Sequence, residues 1–384
     1  MTSSEQPLVA MVGGGQLARM THQAAIALGR GLRVVAERPD DPAAQISPDV
    51  VLGKASELEA LRRAAQGAVA LTFDHEQVPQ DVLVALEAQG VAVHPSASAL
   101  RFAQNKLLMR ERLAEFGAPA PGFWRVEDPE ACPWPGSGLV LKTASGGYDG
   151  RGVWFPQSKE EAREVVAQLL EAGQDVLAEE KVAAKRELSA MVARSPLGQV
   201  CVWPVVETVQ ENGMCTVVIA PAQNLDESLA AQAQKLAIDI ATELGVVGVM
   251  AVELFETADG RILVNELAMR PHNSGHWTMD GSTTSQFEQH LRAVLDYPLG
   301  DPSPLAEVTV MANIVGSSAT NGMSMDERVH HLMGRSPRVK VHLYGKEPRP
   351  GRKIGHVNLT GRAADLDAVR QEAERAARWL SAGE

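Results

Sequence analysis

Aromatic side chains are scarce in this 384-residue chain, at 4% of positions. That argues against a stacking platform for single-stranded nucleic acid, which needs several exposed rings. Positive charge is also short: 36 Lys and Arg face 48 Asp and Glu, for a net charge of −12. A general nucleic-acid binder is therefore excluded, and only a local basic cleft is left open. Cysteine is nearly absent. Cys132, Cys201 and Cys215 are odd in number, have no close metal-ligand spacing, and read as ordinary thiols of a reducing cytoplasm. No apolar run is long enough to span a bilayer, and residues 1–6 lack the basic start of a leader peptide, so no membrane role is expected. Internal repeats and low-complexity segments are missing too. What is present is 45% hydrophobic residues, enough for a sizeable core, in a length that suits two or three domains.

Residues 7 to about 104 alternate strand and helix patterns. The expected strands are 7–12, 32–37, 69–73 and 91–93, with an amphipathic helix from about Gln16 to Leu28. Such alternation predicts a parallel sheet with right-handed crossovers. A helix over 103–116 leads into a Pro/Gly-rich boundary at 117–138. Strands are then expected at 139–142, 153–155, 176–180 and 187–193, with helices at 160–172 and 226–244. After a Pro-rich break at 297–304, a small last region has strands near 308–314 and 339–343 and a helix over 365–380.

Two carboxylates carry the first chemical signal. Asp259-Gly260 is a two-residue hairpin turn, and it sets Glu253 opposite Glu266 on strands 249–255 and 261–267. Like charges opposite each other destabilise a sheet, so a cation is expected between them. Paired carboxylates with few other ligands suit Mg2+ held jointly with substrate phosphates. Possible anion ligands follow at once in Arg270-Pro271-His272-Asn273-Ser274-Gly275-His276.

The second signal is the loop from Lys142 to Gly152, which opens with a lysine and includes Gly146, Gly147, Tyr148, Asp149, Gly150 and Arg151. It suits a flap over polyphosphate: glycines let the backbone approach oxygens and the lysine supplies a point charge. It is not a Walker A sequence. The third is Gly13-Gly14-Gly15-Gln16-Leu17-Ala18 after a strand and before a helix, with Glu37 about 20 residues on. This fits a dinucleotide fingerprint, but any phosphate suits a glycine turn at a helix N-terminus, as does a plain strand–helix connection. Weaker features are the acidic strand end Glu179-Glu180-Lys181-Val182 with Glu187, and Lys106 at a helix start; each is ordinary alone. His272 and His276 have a zinc-like i,i+4 spacing, yet Pro271 and Gly275 argue against a regular helix there. His330-His331 reads as a solvated helix face. The run Lys346 to Lys353 is either an anion-capturing segment or a bare loop.

Taken in order, these segments resemble the ATP-grasp superfamily. Within it the chain is similar to the N5-carboxyaminoimidazole ribonucleotide synthase (PurK) family. The resemblance rests on Gly13–Leu17, Thr72-Phe73-Asp74-His75-Glu76-Gln77-Val78-Pro79, Gly146–Gly152, Ala268–His276 and Arg349-Pro350-Gly351-Arg352-Lys353-Ile354-Gly355-His356, and covers nearly the whole chain. Asp74 stands where glutamate is common, and Ala18 replaces a usual glycine.

The resemblance implies a mixed α/β and α+β fold. It consists of an N-terminal parallel-sheet (pre-ATP-grasp) domain at 1–104, an ATP-grasp domain at 105–302 with a mobile subdomain at about 122–185, and a small C-terminal domain at 303–384. It implies a cytoplasmic homodimer that carboxylates 5-aminoimidazole ribonucleotide with bicarbonate and ATP in purine biosynthesis, through carboxyphosphate. Glu253 and Glu266 would hold Mg2+. Lys106, Lys142 and Gly147 would meet the ATP phosphates, Glu179 and Val182 the adenine, and Glu187 the ribose. Gly15, Gln16 and Leu17 would take the ribonucleotide phosphate. Glu76, Tyr148, Asp149, Arg151, Lys346 and Arg352 would surround the rest of that substrate. Arg270, His272 and Asn273 would position bicarbonate, with Asp149 and Lys346 also counted as catalytic and Asp149 orienting or deprotonating the amine. The competing readings are a nucleotide-dependent oxidoreductase built on the Gly13–Ala18 turn, and a nucleotide-binding regulator without catalysis.

Overall fold

The structure is a computed structural model that describes residues 6–146, 152–211, 213–318 and 322–383. The N-terminal sheet comprises β1 (Leu8–Val12), β2 (Gly31–Ala36), β3 (Val50–Leu52) and β4 (Ala70–Phe73), all parallel, in the order β3-β2-β1-β4. The apolar run of β1 is buried because helices cover both faces of the sheet, as a parallel sheet requires. The strand expected at 91–93 is reduced to one bridge, Leu71 to Val93.

The helix expected over 103–116 is two helices, Ala97–Gln104 and Lys106–Glu115. Asn105 breaks them: its backbone is extended, and its side chain accepts from Leu107 N and Leu108 N at 3.0 Å each. An Asn in extended conformation at such a position is a favoured N-cap. Lys106 is thereby the first residue of the second helix, and its N–H donates to Ala144 O at 2.7 Å, at the root of the glycine-rich loop.

A second, antiparallel sheet has β5 (Phe123–Val126), β6 (Leu139–Thr143), β7 (Val153–Trp154) and β8 (Val176–Glu180) in the order β5-β8-β6-β7. It packs a separate apolar core, including Leu141, Val166 and Ala178, under the helix Lys159–Glu171.

The largest sheet has nine antiparallel strands: β9 (Ala184–Arg194), β10 (Val200–Val202), β11 (Val206–Glu211), β12 (Met214–Ala220), β13 (Gly248–Thr257), β14 (Ile262–Ala268), β15 (Val308–Val315), β16 (Lys340–Leu343) and β17 (Lys353–Gly361). Their order is β14-β13-β9-β11-β12-β15-β17-β16, with β10 beside β9. Because β12 pairs with β15, the last region extends the central sheet. Its outer face is covered by Leu366–Ala382. Among the described residues, no helix is long and apolar enough to cross a membrane.

Candidate active site

Glu253 and Glu266 are cross-strand partners on β13 and β14. The turn that joins the strands is not the expected two-residue one. Thr257 N donates to Arg261 O at 2.9 Å and Gly260 N to Thr257 O at 3.0 Å, so the loop has three residues, 258–260, with Gly260 at φ +77°. That longer loop shifts the register by one. A bulge shifts it back: Leu254 pairs with Val264 and Glu253 with Glu266, leaving Asn265 extra. Bulges re-aim side chains. Here Asn265 O accepts from Arg110 Nη2 at 2.8 Å, Asn265 Oδ1 faces Lys142 Nζ at 3.3 Å, and both Asn265 and Glu266 line one cavity of about 500 Å³.

That cavity lies between the second sheet and the nine-stranded sheet. Several of its charges are paired. Lys106 forms an ion pair with Glu266, and His272 Nε2 lies 3.3 Å from Glu253 Oε1. Burial opposes ionisation of Glu253, but the His272 hydrogen bond and the positive charges of Arg270 and Lys106 outweigh it and hold the carboxyl below its usual range. Glu187 is the opposite case: burial, then the charge of Glu253, raises it. The Glu179 carboxylate is occupied by Arg110 Nε at 2.5 Å and Lys142 Nζ at 2.7 Å. The Glu179 side chain, at the end of β8, is therefore engaged within the protein, and Val182 lines the same cavity. Val140, Val153, Phe155 and Phe255 supply apolar walls.

A second cavity of about 610 Å³ opens at the glycine turn and is lined by Gly13–Leu17, Glu37, Asp74–Gln77, Arg270, Lys346 and Arg352. Asp74, at the end of β4, enters the turn: its Oδ2 accepts from Gly15 N at 2.6 Å. Burial raises its pKa, against the charges of His75 and Arg270 and the Gly15 hydrogen bond. Gly13 has φ +110°, and a Cβ there would lie 1.7 Å from Asp74 Oδ1. The Gly15 donor is thus already used, and a carboxylate sits where a dinucleotide pyrophosphate would approach. Lys346 Nζ donates to Gln16 Oε1, which brings the late basic segment onto the first helix. Both oxygens of Glu76 are engaged, by Met269 N at 3.1 Å and Arg270 Nε at 2.7 Å.

The segment Arg270–Asn273 separates the two cavities. Arg270 lines the larger one; His272 and Asn273 line the other. His276, the other half of the zinc-like pair, is fully buried behind this wall against Phe287 and His356 and does not converge with His272. Tyr148, Asp149, Arg151 and Gly147 lie outside the described residues. Every other candidate lines one of the two cavities: Gly15, Gln16, Leu17, Glu76, Arg270, Lys346 and Arg352 in one; Lys106, Lys142, Glu179, Val182, Glu187, Glu253, Glu266, His272 and Asn273 in the other.

Sequence reasoning missed Arg110, Asn265, Phe155 and Lys353. Arg110 left no local signal, because its partners are 69 and 155 residues away. Lys353 was readable: it follows Arg352, and extended chain alternates sides. Arg352 accordingly lines the cavity of the glycine turn, and Lys353 the one holding the two carboxylates.

The sequence matches a ribonucleotide synthetase pre-ATP-grasp domain over residues 8–104, an ATP-grasp domain over 111–287, and the C-terminal domain of phosphoribosylaminoimidazole carboxylase over 309–371. The N5-carboxyaminoimidazole ribonucleotide synthase of Mycobacterium tuberculosis (strain H37Rv) is 58% identical, over 100% of this chain and 90% of that protein. The fold matches two crystal structures from Aspergillus clavatus. Carboxyaminoimidazole ribonucleotide synthase complexed with ATP has a TM-score of 0.87 and 32% identity, covering 98% of this chain and 99% of that one. N5-carboxyaminoimidazole synthase with ADP and 5-aminoimidazole ribonucleotide has a TM-score of 0.85 and 31% identity, covering 98% and 97%.

Proposed function

The chain belongs to the N5-carboxyaminoimidazole ribonucleotide synthase family of ATP-grasp ligases, which carboxylates 5-aminoimidazole ribonucleotide at the expense of ATP in purine biosynthesis, and we propose how its own residues divide that work. The observation that carries the division is the shared wall: Arg270 opens on one cavity, and His272 and Asn273, two and three residues on, open on the other. A species activated beside the carboxylates is released next to the ribonucleotide.

ATP lies in the smaller cavity, its phosphates near Lys106 and Lys142, and the family resemblance assigns Gly147 to the same phosphates. Its adenine meets the main chain at Glu179 and Val182, and its ribose Glu187. Glu253 and Glu266 fit Mg2+: they face each other, both line the cavity, and Lys106 and His272 already supply positive or donor groups to them. The metal supplies charge neutralisation on the phosphoryl oxygens. The ribonucleotide lies along the glycine turn, its phosphate near Gly15, Gln16 and Leu17. Since Gly15 N is bonded to Asp74, the working donors are Gln16 and Leu17, joined by Lys346 and Arg352. Glu76 acts by holding Arg270, and the family resemblance assigns Tyr148, Asp149 and Arg151 to the same substrate.

Bicarbonate, a poor electrophile, is held by Arg270, His272 and Asn273 and attacks the γ-phosphorus; ADP leaves and carboxyphosphate forms. Catalysis of that step is positioning and electrostatics. The exocyclic amine then attacks the carboxyl carbon, phosphate departs, and Asp149 takes the amine proton. Water exclusion by the 142–152 loop protects the mixed anhydride. The divisions near 104 and 302, a moving 122–185 subdomain, a homodimer and a cytoplasmic setting belong to the same reading. The separate core of the second sheet supports the moving subdomain, and the family resemblance supports the dimer.

The test is ADP release coupled to fixation of labelled bicarbonate, with and without ribonucleotide. Glu266→Gln is expected to lower both by at least about 100-fold while the protein stays folded by circular dichroism. Wild-type turnover in that variant rejects the metal assignment; turnover without bicarbonate rejects the carboxylation scheme.

A further inference from the structure

The wall between the cavities is held from behind by one side chain that none of the preceding roles uses. Gln286 opens the helix Gln286–Val294 and is fully buried. Its amide Oε1 accepts from His272 N at 2.7 Å, and its Nε2 donates to His272 O at 2.8 Å. The second Nε2 hydrogen is directed to His276 Nδ1 at 2.9 Å. Both Nε2 hydrogens and the oxygen are used, and swapping the amide ends would set N–H against N–H at His272. The orientation is therefore unique. The fit is close: a Cβ at Gly275 would lie 2.6 Å from Gln286 Oε1.

Burying an amide is costly unless its polar atoms are paired. A buried Gln at the first position of a helix therefore needs a reason, and the main chain it grips is that reason. His272 follows Pro271, which has no N–H, and the segment has left the β14 ladder. Gln286 replaces the missing strand partner at one residue, bonding both its N–H and its C=O.

The imidazole of His272 is then oriented from its other side. Its Nδ1 accepts from Ser274 N at 3.3 Å and lies 2.9 Å from Ser274 Oγ, which is 2.8 Å from Ser189 Oγ on β9. With Nδ1 the acceptor, the ring proton is on Nε2, facing Glu253 Oε1 at 3.3 Å. Backbone and ring are each fixed by hydrogen bonds from buried groups, which is how a site residue is held to within fractions of an ångström.

We propose that Gln286 is a positioning residue for the bicarbonate subsite: its two bonds to the His272 main chain set where His272 and Asn273 stand between the two cavities. The inference rests on the reading that these residues hold bicarbonate, and it makes a selective prediction. ATP and ribonucleotide are bound mainly by groups on other elements, so loss of Gln286 is felt by one substrate of three.

The test compares the full-length wild type, Gln286→Met, Gln286→Glu and His272→Asn. Methionine keeps the length and removes every hydrogen bond; glutamate keeps an acceptor for His272 N and loses both donors. Gln286→Met is expected to raise KM for bicarbonate by about tenfold or more, with KM for ATP and ribonucleotide within about threefold of wild type. The ratio of ADP released to label fixed is expected to rise, because activated carboxyl formed out of place is lost to water. Gln286→Glu is expected to show the same split at least as strongly, because a carboxylate oxygen would face His272 O. ATP binding by calorimetry checks that each variant is folded. A fall in kcat with all substrate KM values unchanged, a rise in all of them together, or loss of ATP binding in both Gln286 variants overturns the proposal. If His272→Asn raises KM for bicarbonate and Gln286→Met does not, the positioning claim fails alone. If His272→Asn leaves it unchanged, the bicarbonate reading beneath it fails.

Discussion

Neutralising one buried carboxylate isolates the main electrostatic device beside the cavity that holds Glu253 and Glu266. Glu179 is 3% exposed and receives Arg110 Nε at 2.5 Å and Lys142 Nζ at 2.7 Å. Glu179→Gln preserves shape and removes the charge. Lys142, at the cavity wall, keeps Asn265 Oδ1 at 3.3 Å as a partner. Arg110 is fully buried and keeps its charge; the glutamine oxygen can still accept from its Nε, and Asn265 O accepts from Nη2 at 2.8 Å, but the counter-charge of Glu179 is gone. Stranding one partner of a buried pair costs about 3–5 kcal/mol. At about 2–4 °C per kcal/mol for a cooperative unit of 150–250 residues, the midpoint of the transition containing Arg110 and Glu179 should fall by about 6–20 °C.

The pH dependence checks the cause. Burial disfavours the Glu179 anion, but Arg110 and Lys142 outweigh it and hold the folded carboxyl below its ordinary value. Its contribution is therefore complete above the unfolded value of about 4.3 and is lost as pH falls through the lower folded value. The gap between wild type and Glu179→Gln should be flat from about pH 7 to 5 and close in stronger acid. Thermal unfolding followed by circular dichroism across that range reads it. A loss under about 1 kcal/mol at pH 7, or a gap that widens on acidification, refutes the assignment.

Two shorter predictions concern the other charges and the turn. Lys106 pairs with Glu266, so Lys106→Met should tighten Mn2+ binding measured without nucleotide several-fold while weakening ATP; unchanged Mn2+ affinity by electron paramagnetic resonance would show that the lysine does not compete with the metal. Gly13→Ala puts a methyl group onto Asp74 at a positive φ, and should cost at least about 1–3 kcal/mol and raise KM for the ribonucleotide with ATP binding intact; a variant of wild-type stability and KM would mean that Asp74 moves aside freely.

The parallel character of the N-terminal sheet, though not its strand order, was legible because a strand buried on both faces is a continuous apolar run, as Leu8–Val12 is. The helix starting at Lys106 was legible only as part of a longer one, since nothing nearby distinguishes an Asn that caps from an Asn that is solvated. The cap is confirmed by the tie from Lys106 N to Ala144 O, 38 residues on. Strands β11, β12 and β17 went unread because their pairing is non-local: β12 reaches β15 across the whole of β13 and β14. The acceptor inside the glycine turn was beyond local reading for the same reason. Asp74 is 59 residues from Gly15, and only the parallel pairing of β1 with β4 brings them together.

The facing of Glu253 and Glu266 is the instructive case, because the expected register holds although the expected turn does not. A two-residue turn at Asp259-Gly260 pairs 253 with 266 directly. The chain instead makes a three-residue loop closed by Thr257 and Arg261, which would leave Glu266 out of step. The extra residue at Asn265 restores the pairing. The two deviations cancel in register but not in chemistry. A plain hairpin would alternate Asn265 and Glu266 to opposite faces. The bulge turns both into the same cavity, so Asn265 meets Lys142 while its carbonyl takes the Arg110 that also holds Glu179. The carboxylate pair, the lysine at the root of the glycine loop and the buried Arg110 are thus tied together through one unpaired residue. Local propensity has no means of marking that residue, because its placement is the difference between two registers set at opposite ends of the strand.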